Sequence, residues 1–359
     1  MSYIQKILFG SPGTGKSHKT DKYLIPEILK ISTSENKVKT VFHPEYTYGD
    51  FMGKLVPQTR GEKVLYSFFE GHFLMALSKA YKRILEASEK DGVQSGEIKN
   101  VVLVIDEINR GNSAAIFGTV FQLLDREDDG WSSYSINVTE LEMLKLLKLL
   151  GIQEKPLAKD EFEFQFPGES HWVKDYTVFQ NRVDILHLDL KNRAIKIPPN
   201  LSIIGTMNTS DNSIYFMDSA FKRRWDWEFI DIKSPDDDFF ENIDAQLREI
   251  DRDYWMKIVD SINTFIKKHS DKIRRIEDKQ IGYYFIKGEP VKHDAIRNKL
   301  MFFLWDSVFN NEKKPLLELL NSSPLRNGNP IHKTELVTFG DFVRFYKEFF
   351  SAITDKIVS

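Results

Sequence analysis

Two short stretches carry residue types that together could hold a polyphosphate and activate a water molecule. Gly10-Ser11-Pro12-Gly13-Thr14-Gly15-Lys16-Ser17 fits the pattern G-x-x-x-x-G-K-[ST]. Glycines let successive backbone N–H groups wrap a phosphate without Cβ clashes, and the N-terminus of a following helix adds its dipole. Lys16 is placed to reach the β- and γ-phosphates of a nucleoside triphosphate, and the Ser17 hydroxyl to ligate Mg²⁺. Further along, Val104-Ile105-Asp106-Glu107 ends an apolar run in two acids. Asp106 suits the Mg²⁺ shell, and Glu107 suits polarisation of the attacking water. Taken alone, two acids closing a strand are a solvated strand end. The phosphate loop upstream gives them a chemical partner.

These residues need a scaffold that brings them together. Ile4–Phe9 reads as a strand ending at Gly10, followed by a helix from about Lys16 to Ile31. Val38–Phe42, Val101–Ile105, Leu201–Met207 and Trp227–Ile232 read as further strands, with helices at Phe73–Ala87 and Ala114–Leu124. Val101–Ile105 is five strand formers in a row, the signature of a strand buried on both faces. Strands alternating with helices predict an α/β fold, a doubly wound parallel sheet. Residues 1-233 form the predicted nucleotide-binding core, interrupted by an insertion at about 126-199. There Thr139-Glu140-Leu141-Glu142 reads as a capping box that opens a leucine-rich helix ending at Gly151. After Ser234-Pro235-Asp236-Asp237-Asp238 the pattern turns helical, so 234-359 is predicted as a small helical lid domain.

Composition narrows the setting. Of 359 residues, 41% are hydrophobic and 29% charged, the profile of a soluble globular chain. The net charge of −3 provides no global basic field for nucleic acid. Cysteine is absent, which removes disulfides, thiolate zinc sites and cysteine nucleophiles. No apolar run is long enough to span a membrane, and the N-terminal residues lack signal-peptide architecture, so a cytoplasmic location is expected. The eight histidines show no paired metal-binding spacing. Glu97-Ile98-Lys99 has the E-x-K spacing of metal-dependent nucleases, but it sits in a polar run with no completing aspartate, and a loop is expected there.

Three further elements point to a family. Asp106-Glu107-Ile108-Asn109-Arg110, Met207-Asn208-Thr209-Ser210-Asp211 and Met217-Asp218-Ser219-Ala220-Phe221-Lys222-Arg223-Arg224-Trp225 together resemble the McrB family of AAA+ proteins. These are GTP-hydrolysing motor subunits of modification-dependent restriction systems. The resemblance spans about Tyr3 to Ile232 and extends more faintly to Gln280-Ile281-Gly282-Tyr283-Tyr284-Phe285, which looks like a lid signature without its arginine. It implies strand order 5-1-4-3-2 and a site at a subunit interface. It also implies that Asn208 is a polar sensor of the γ-phosphate and that Asn109 helps to position water. Arg223 and Arg224 are the candidates for an arginine finger reaching a neighbouring subunit, the alternative being a solvated helix end. Family members with their own DNA-recognition domain carry it ahead of the core. Nine residues precede Gly10 here, so recognition of modified DNA is not carried over.

The function implied is an Mg²⁺-dependent hydrolase of GTP or ATP in a homo-oligomeric ring, hexameric by resemblance. It would work with a McrC-like endonuclease and reach DNA through that partner or another domain. The rival is a MoxR- or dynein-like AAA+ chaperone that remodels protein partners with the same site residues. Phe42-His43-Pro44-Glu45-Tyr46-Thr47-Tyr48-Gly49-Asp50-Phe51 could present aromatics to a ring's central surface. Packing of Tyr46, Tyr48 and Phe51 against the core is the expected alternative.

Overall fold

Runs of β-branched and aliphatic residues build one central sheet: β1 (Gln5–Gly10), β2 (Lys37–Val41), β3 (Val101–Asp106), β4 (Leu201–Asn208) and β5 (Asp226–Phe229). The computed structural model describes residues 3–61, 63–88, 96–158, 161–208, 215, 217–232, 247, 249–273 and 276–358. The strand order is β5-β1-β4-β3-β2, as the family resemblance implies. The four strands β1, β4, β3 and β2 pair in parallel. In β3 and β4 every residue but the last is buried, which explains the unbroken apolar run of β3 and the largely apolar run of β4, interrupted by Ser202 and Thr206. Asp106 and Asn208 are those last residues, so the polar chemistry collects at the carboxyl ends of the strands. Register fixes their neighbours: Gly10 lies opposite Asn208, and Val41 opposite Asp106.

Helices supply the layers. α1 (Lys16–Lys19) starts at the phosphate loop and continues as a wider, π-helical stretch over Thr20–Ile28. That stretch contains Pro26, and Lys30 just beyond it has a φ of 54°, so the helix stops short of Ile31. α2 (His72–Glu86) buries Phe73, Leu74, Leu77, Tyr81 and Ile84 along one face, the helical spacing that made it legible. α3 (Ser113–Phe117) is shorter than predicted. The chain turns at Gly118, with φ 50°, and proceeds as a tighter 3₁₀ stretch to Leu124.

The segment from Asp125 to Pro199 has a structure of its own. Ile136–Asn137 pairs antiparallel with Ala194–Ile195, tying its two ends together. α4 (Glu140–Leu149) opens with the predicted capping box: Thr139 accepts from Glu142 N, and the Glu142 carboxylate accepts from Thr139 N at 2.7 Å. Gly151, at φ 80°, follows its end. The remainder, unassigned from sequence, is a hairpin of Gln153–Ala158 and Glu161–Gln165 with a helix at Tyr176–Val183. Phe164 and Phe179 stack with ring centroids 3.7 Å apart to join them. A second hairpin, Gly53–Arg60 with Lys63–Glu70, was not read from sequence either.

By internal contacts the chain divides into Met1–Trp225 and Asp226–Ser359. The expected boundary near Pro235 lies outside the described residues. The second unit is helical beyond β5, with α6 (Arg252–Lys268), α7 (Lys314–Asn321), α8 (Phe339–Arg344) and α9 (Tyr346–Val358). Asp251 caps α6 by accepting from Tyr254 N at 2.7 Å, and Trp255, Ile258, Val259, Ile262, Phe265 and Ile266 form its buried face. The Gln280–Phe285 segment is neither helix nor strand. Asn263 holds it, donating to Ile281 O and accepting from Ile281 N. Among the described residues no helix is long and apolar enough to cross a membrane.

Candidate active site

The phosphate loop is shaped by its glycines. Gly13 and Gly15 have φ of 79° and 91°, left-handed values that side chains disfavour. A Cβ at either position would meet nothing within 4 Å, so backbone conformation rather than crowding demands glycine. Ser11 accepts from the Thr14 hydroxyl at 3.0 Å, which closes the loop upon itself. Lys16 is buried, 7% exposed, and its ammonium donates to Gly10 O at 3.1 Å and Ser11 O at 2.7 Å. Thr20 donates to Lys16 O at 3.1 Å and anchors the first helical turn from below. Ser17 stands exposed on that turn, and Pro12 is exposed at the loop's tip.

The acidic site is organised by β4. Thr206 Oγ1 donates to Asp106 Oδ1 at 3.0 Å, while Lys39 Nζ lies 3.6 Å from Asp106 Oδ2. The same ammonium donates to Asp21 Oδ2 at 3.2 Å. Burial works against the Lys39 charge, but the hydrogen bond to Asp21 and the field of Asp106 outweigh it and raise its pKa. Glu107 follows with a φ of 54°, a left-handed conformation unusual for a side chain of this size. Asn208 Nδ2 donates to Glu107 Oε1 at 2.7 Å. The other oxygen, Oε2, is buried without a hydrogen-bond partner, with Arg110 Nε 3.7 Å away. Asn109 is 3% exposed and donates to Asn208 O at 3.2 Å, leaving its own Oδ1 buried and without a hydrogen bond. Glu107, Asn109 and Asn208 therefore form one hydrogen-bonded group, to which Thr206 joins Asp106, and Gly10 of the phosphate loop is the register partner of Asn208.

The donor set suits Mg²⁺. A small hard cation takes one or two protein oxygens and fills its octahedron with phosphate oxygens and water. Ser17 and Asp106 offer that number and type. Among the described residues no group of three or more His, Cys, Asp or Glu side chains could hold a metal instead.

The two arginines separate. Arg224 is folded inward: its Nε donates to Asp125 Oδ2 at 2.9 Å, its Nη1 donates to Ala220 O at 2.9 Å, and its guanidinium lies 3.8 Å over the Phe121 ring. Arg223 closes α5 (Ser219–Arg223) and is exposed. Gln5 Nε2 donates to Arg224 O at 2.6 Å, which ties the end of α5 to the start of β1. The phosphate loop lies at the opposite end of that strand, about 16 Å away at strand rise. Thr209, Ser210 and Asp211 of the third family element lie outside the described residues.

The aromatic segment packs inward. Phe42 and Phe51 are fully buried, and Tyr46 is 7% exposed. The Phe42 ring lies 4.8 Å from Tyr46, and the Phe51 ring 4.6 Å from Phe117. Tyr46 OH pairs with His72 Nδ1 at 2.7 Å, and burial pushes its hydroxyl up to about 12. Glu97 and Lys99 lie in an irregular exposed stretch, which leaves the nuclease spacing without a scaffold. Sequence reasoning missed Thr206, Lys39 and Asp125. Thr206 had a legible signal, as a hydroxyl two residues ahead of Asn208 in a largely apolar strand.

No family model matches the chain. It is 30% identical over 349 residues to the type II restriction enzyme BsuMI component YdiS of Bacillus subtilis, covering 89% of this chain and 82% of that protein. It is 25% identical over 235 residues to the type IV methyl-directed restriction enzyme EcoKMcrB subunit of Escherichia coli, covering 63% of this chain and 35% of that one. The chain belongs to the family of restriction-system components that includes YdiS, McrB-like proteins of the P-loop AAA+ fold.

Proposed function

We propose that this protein is an Mg²⁺-dependent nucleoside-triphosphate hydrolase that drives a DNA restriction system as a homo-oligomeric ring, hexameric by family resemblance, with a McrC-like endonuclease as partner. The observation that carries the reading is the state of Glu107. One carboxylate oxygen is held by Asn208, while the other is buried and lacks a hydrogen bond. A water between that oxygen and a γ-phosphate would find its acceptor already oriented. Lys16 and the loop N–H groups bind the β- and γ-phosphates. Ser17 and Asp106 would hold Mg²⁺, which when bound would neutralise phosphate charge. Asn208 reads the γ-phosphate, and Asn109 steadies the Asn208 backbone. Arg223 is the finger, supplied to a neighbouring subunit's site. Arg224 is withdrawn from that role by its bonds to Asp125 and Ala220. Family resemblance favours GTP, and the wider AAA+ class favours ATP.

The test is Glu107→Gln, assayed with each nucleotide and Mg²⁺. The amide keeps the Asn208 contact through its oxygen but cannot take the water's proton. Fluorescent-nucleotide affinity should stay near the parental value while turnover falls by about 10²-fold or more. Parental turnover by this variant would overturn the assignment of Glu107.

A further inference from the structure

We infer that Thr206 is a positioning residue for hydrolysis, one hydroxyl fixing the Asp106 and Glu107 carboxylates relative to each other. The inference rests on the hydrolase reading above. Thr206 lies in β4 and is 4% exposed. Its hydroxyl proton goes to Asp106 Oδ1 at 3.0 Å, and its lone pairs face the Glu107 N–H, 3.4 Å away. Its carbonyl accepts from Ile108 N at 3.0 Å. Thr206 thus grips the chain on both sides of Glu107, at the point where the backbone adopts a φ of 54°. Such a conformation persists only where neighbours over-determine it. Asn208 lies two residues further on the same strand face and holds the Glu107 carboxylate at 2.7 Å. Backbone and side chain of Glu107 are therefore both referenced to β4, and so is the carboxylate of Asp106.

Loss of this hydroxyl would release both acids together. Asp106 Oδ1 and Glu107 N would each lose a part-buried hydrogen bond, while nucleotide contacts at the phosphate loop stay intact. A displacement of about 1 Å at a reacting group can cost about 10²-fold in rate. Thr206→Val, close to threonine in shape, should lower kcat about 10- to 100-fold with little change in nucleotide KM. It should also raise the Mg²⁺ concentration for half-maximal rate, because Asp106 is no longer fixed. Thr206→Ser, which keeps the hydroxyl, should restore both quantities to near the parental values.

The experiment uses the full chain with GTP and ATP, Mg²⁺ titrations, thermal denaturation of each variant, and Glu107→Gln in parallel. If Thr206→Val does not fold, Thr206→Ala, which adds no atom, carries the same expectation. Parental kcat and parental Mg²⁺ dependence in a folded Val or Ala variant, beside an inactive Glu107→Gln, would overturn this inference and leave the hydrolase reading standing. A Ser variant as impaired as the Val variant would also overturn it, because methyl packing rather than the hydroxyl would then matter. Parental turnover by Glu107→Gln would remove the reading on which the inference rests.

Discussion

Arg223 and Arg224 are neighbours in sequence with opposite surroundings. Arg224 Nη2 lies 2.8 Å from Asp125 Oδ2 with its side chain 9% exposed, whereas Arg223 is exposed at the end of α5. The pair therefore separates stability from catalysis. Arg224→Ala leaves Asp125 without its cation and opens a gap over Phe121. Since Asp125 keeps a side-chain exposure of 27%, water compensates in part, and the cost should be about 1–3 kcal/mol by denaturant midpoint. Arg223→Ala, at an exposed position, should cost less stability than Arg224→Ala. In a finger role it should lower assembled turnover by about 10³-fold or more. Midpoints and turnover measured on both variants check the division of labour. A stable Arg224→Ala with lost turnover would move the finger by one residue.

Glycine decides the outcome at the scale of elements. The apolar spacing of Ala114–Leu124 predicts one helix, but the chain turns at Gly118 with φ 50°, and a Cβ there would lie 2.9 Å from the Tyr48 ring. In a helix interior, Gly→Ala stabilises by about 1 kcal/mol. At Gly118 the sign reverses: left-handed strain and the Tyr48 contact should make Gly118→Ala destabilising by more than about 1 kcal/mol. Urea unfolding of this single variant measures the sign directly. The same element shows where sequence reading stops. Val101–Asp106 and Leu201–Asn208 were legible because strands buried on both faces are made mostly of apolar residues. The capping box at Thr139 was legible because its partners are local. The Gly53–Glu70 hairpin was not, because its strands leave Leu55, Val64, Tyr66 and Phe69 exposed and so show no in–out alternation. At the site, residue types revealed the phosphate loop and Glu107. The Thr206 and Asp125 contacts join residues roughly 100 positions apart, which no local pattern encodes.

For the whole molecule, the link between Gln5 and Arg224 has a consequence for assembly. It holds the end of α5 beside the start of β1, while Gly10 and the phosphate loop lie at that strand's other end. In the proposed ring, Arg223 would reach a γ-phosphate that belongs to another copy of the chain. Isolated subunits should be poor catalysts, and specific activity should rise with protein concentration until assembly saturates. Two inactive variants make the test independent of any single rate. Arg223→Ala keeps an intact phosphate loop, and Lys16→Ala keeps an intact arginine. Each alone should be inactive, because every site lacks either its phosphate ligand or its finger. In mixed assemblies some intact loops face intact fingers, so hydrolysis should return, greatest at intermediate mixing ratios. Co-assembly is established separately by light scattering and by retention of an untagged subunit on a tagged one. Assemblies proven to be mixed yet still inactive would confine Arg223 to its own subunit and remove the physical reason for a ring.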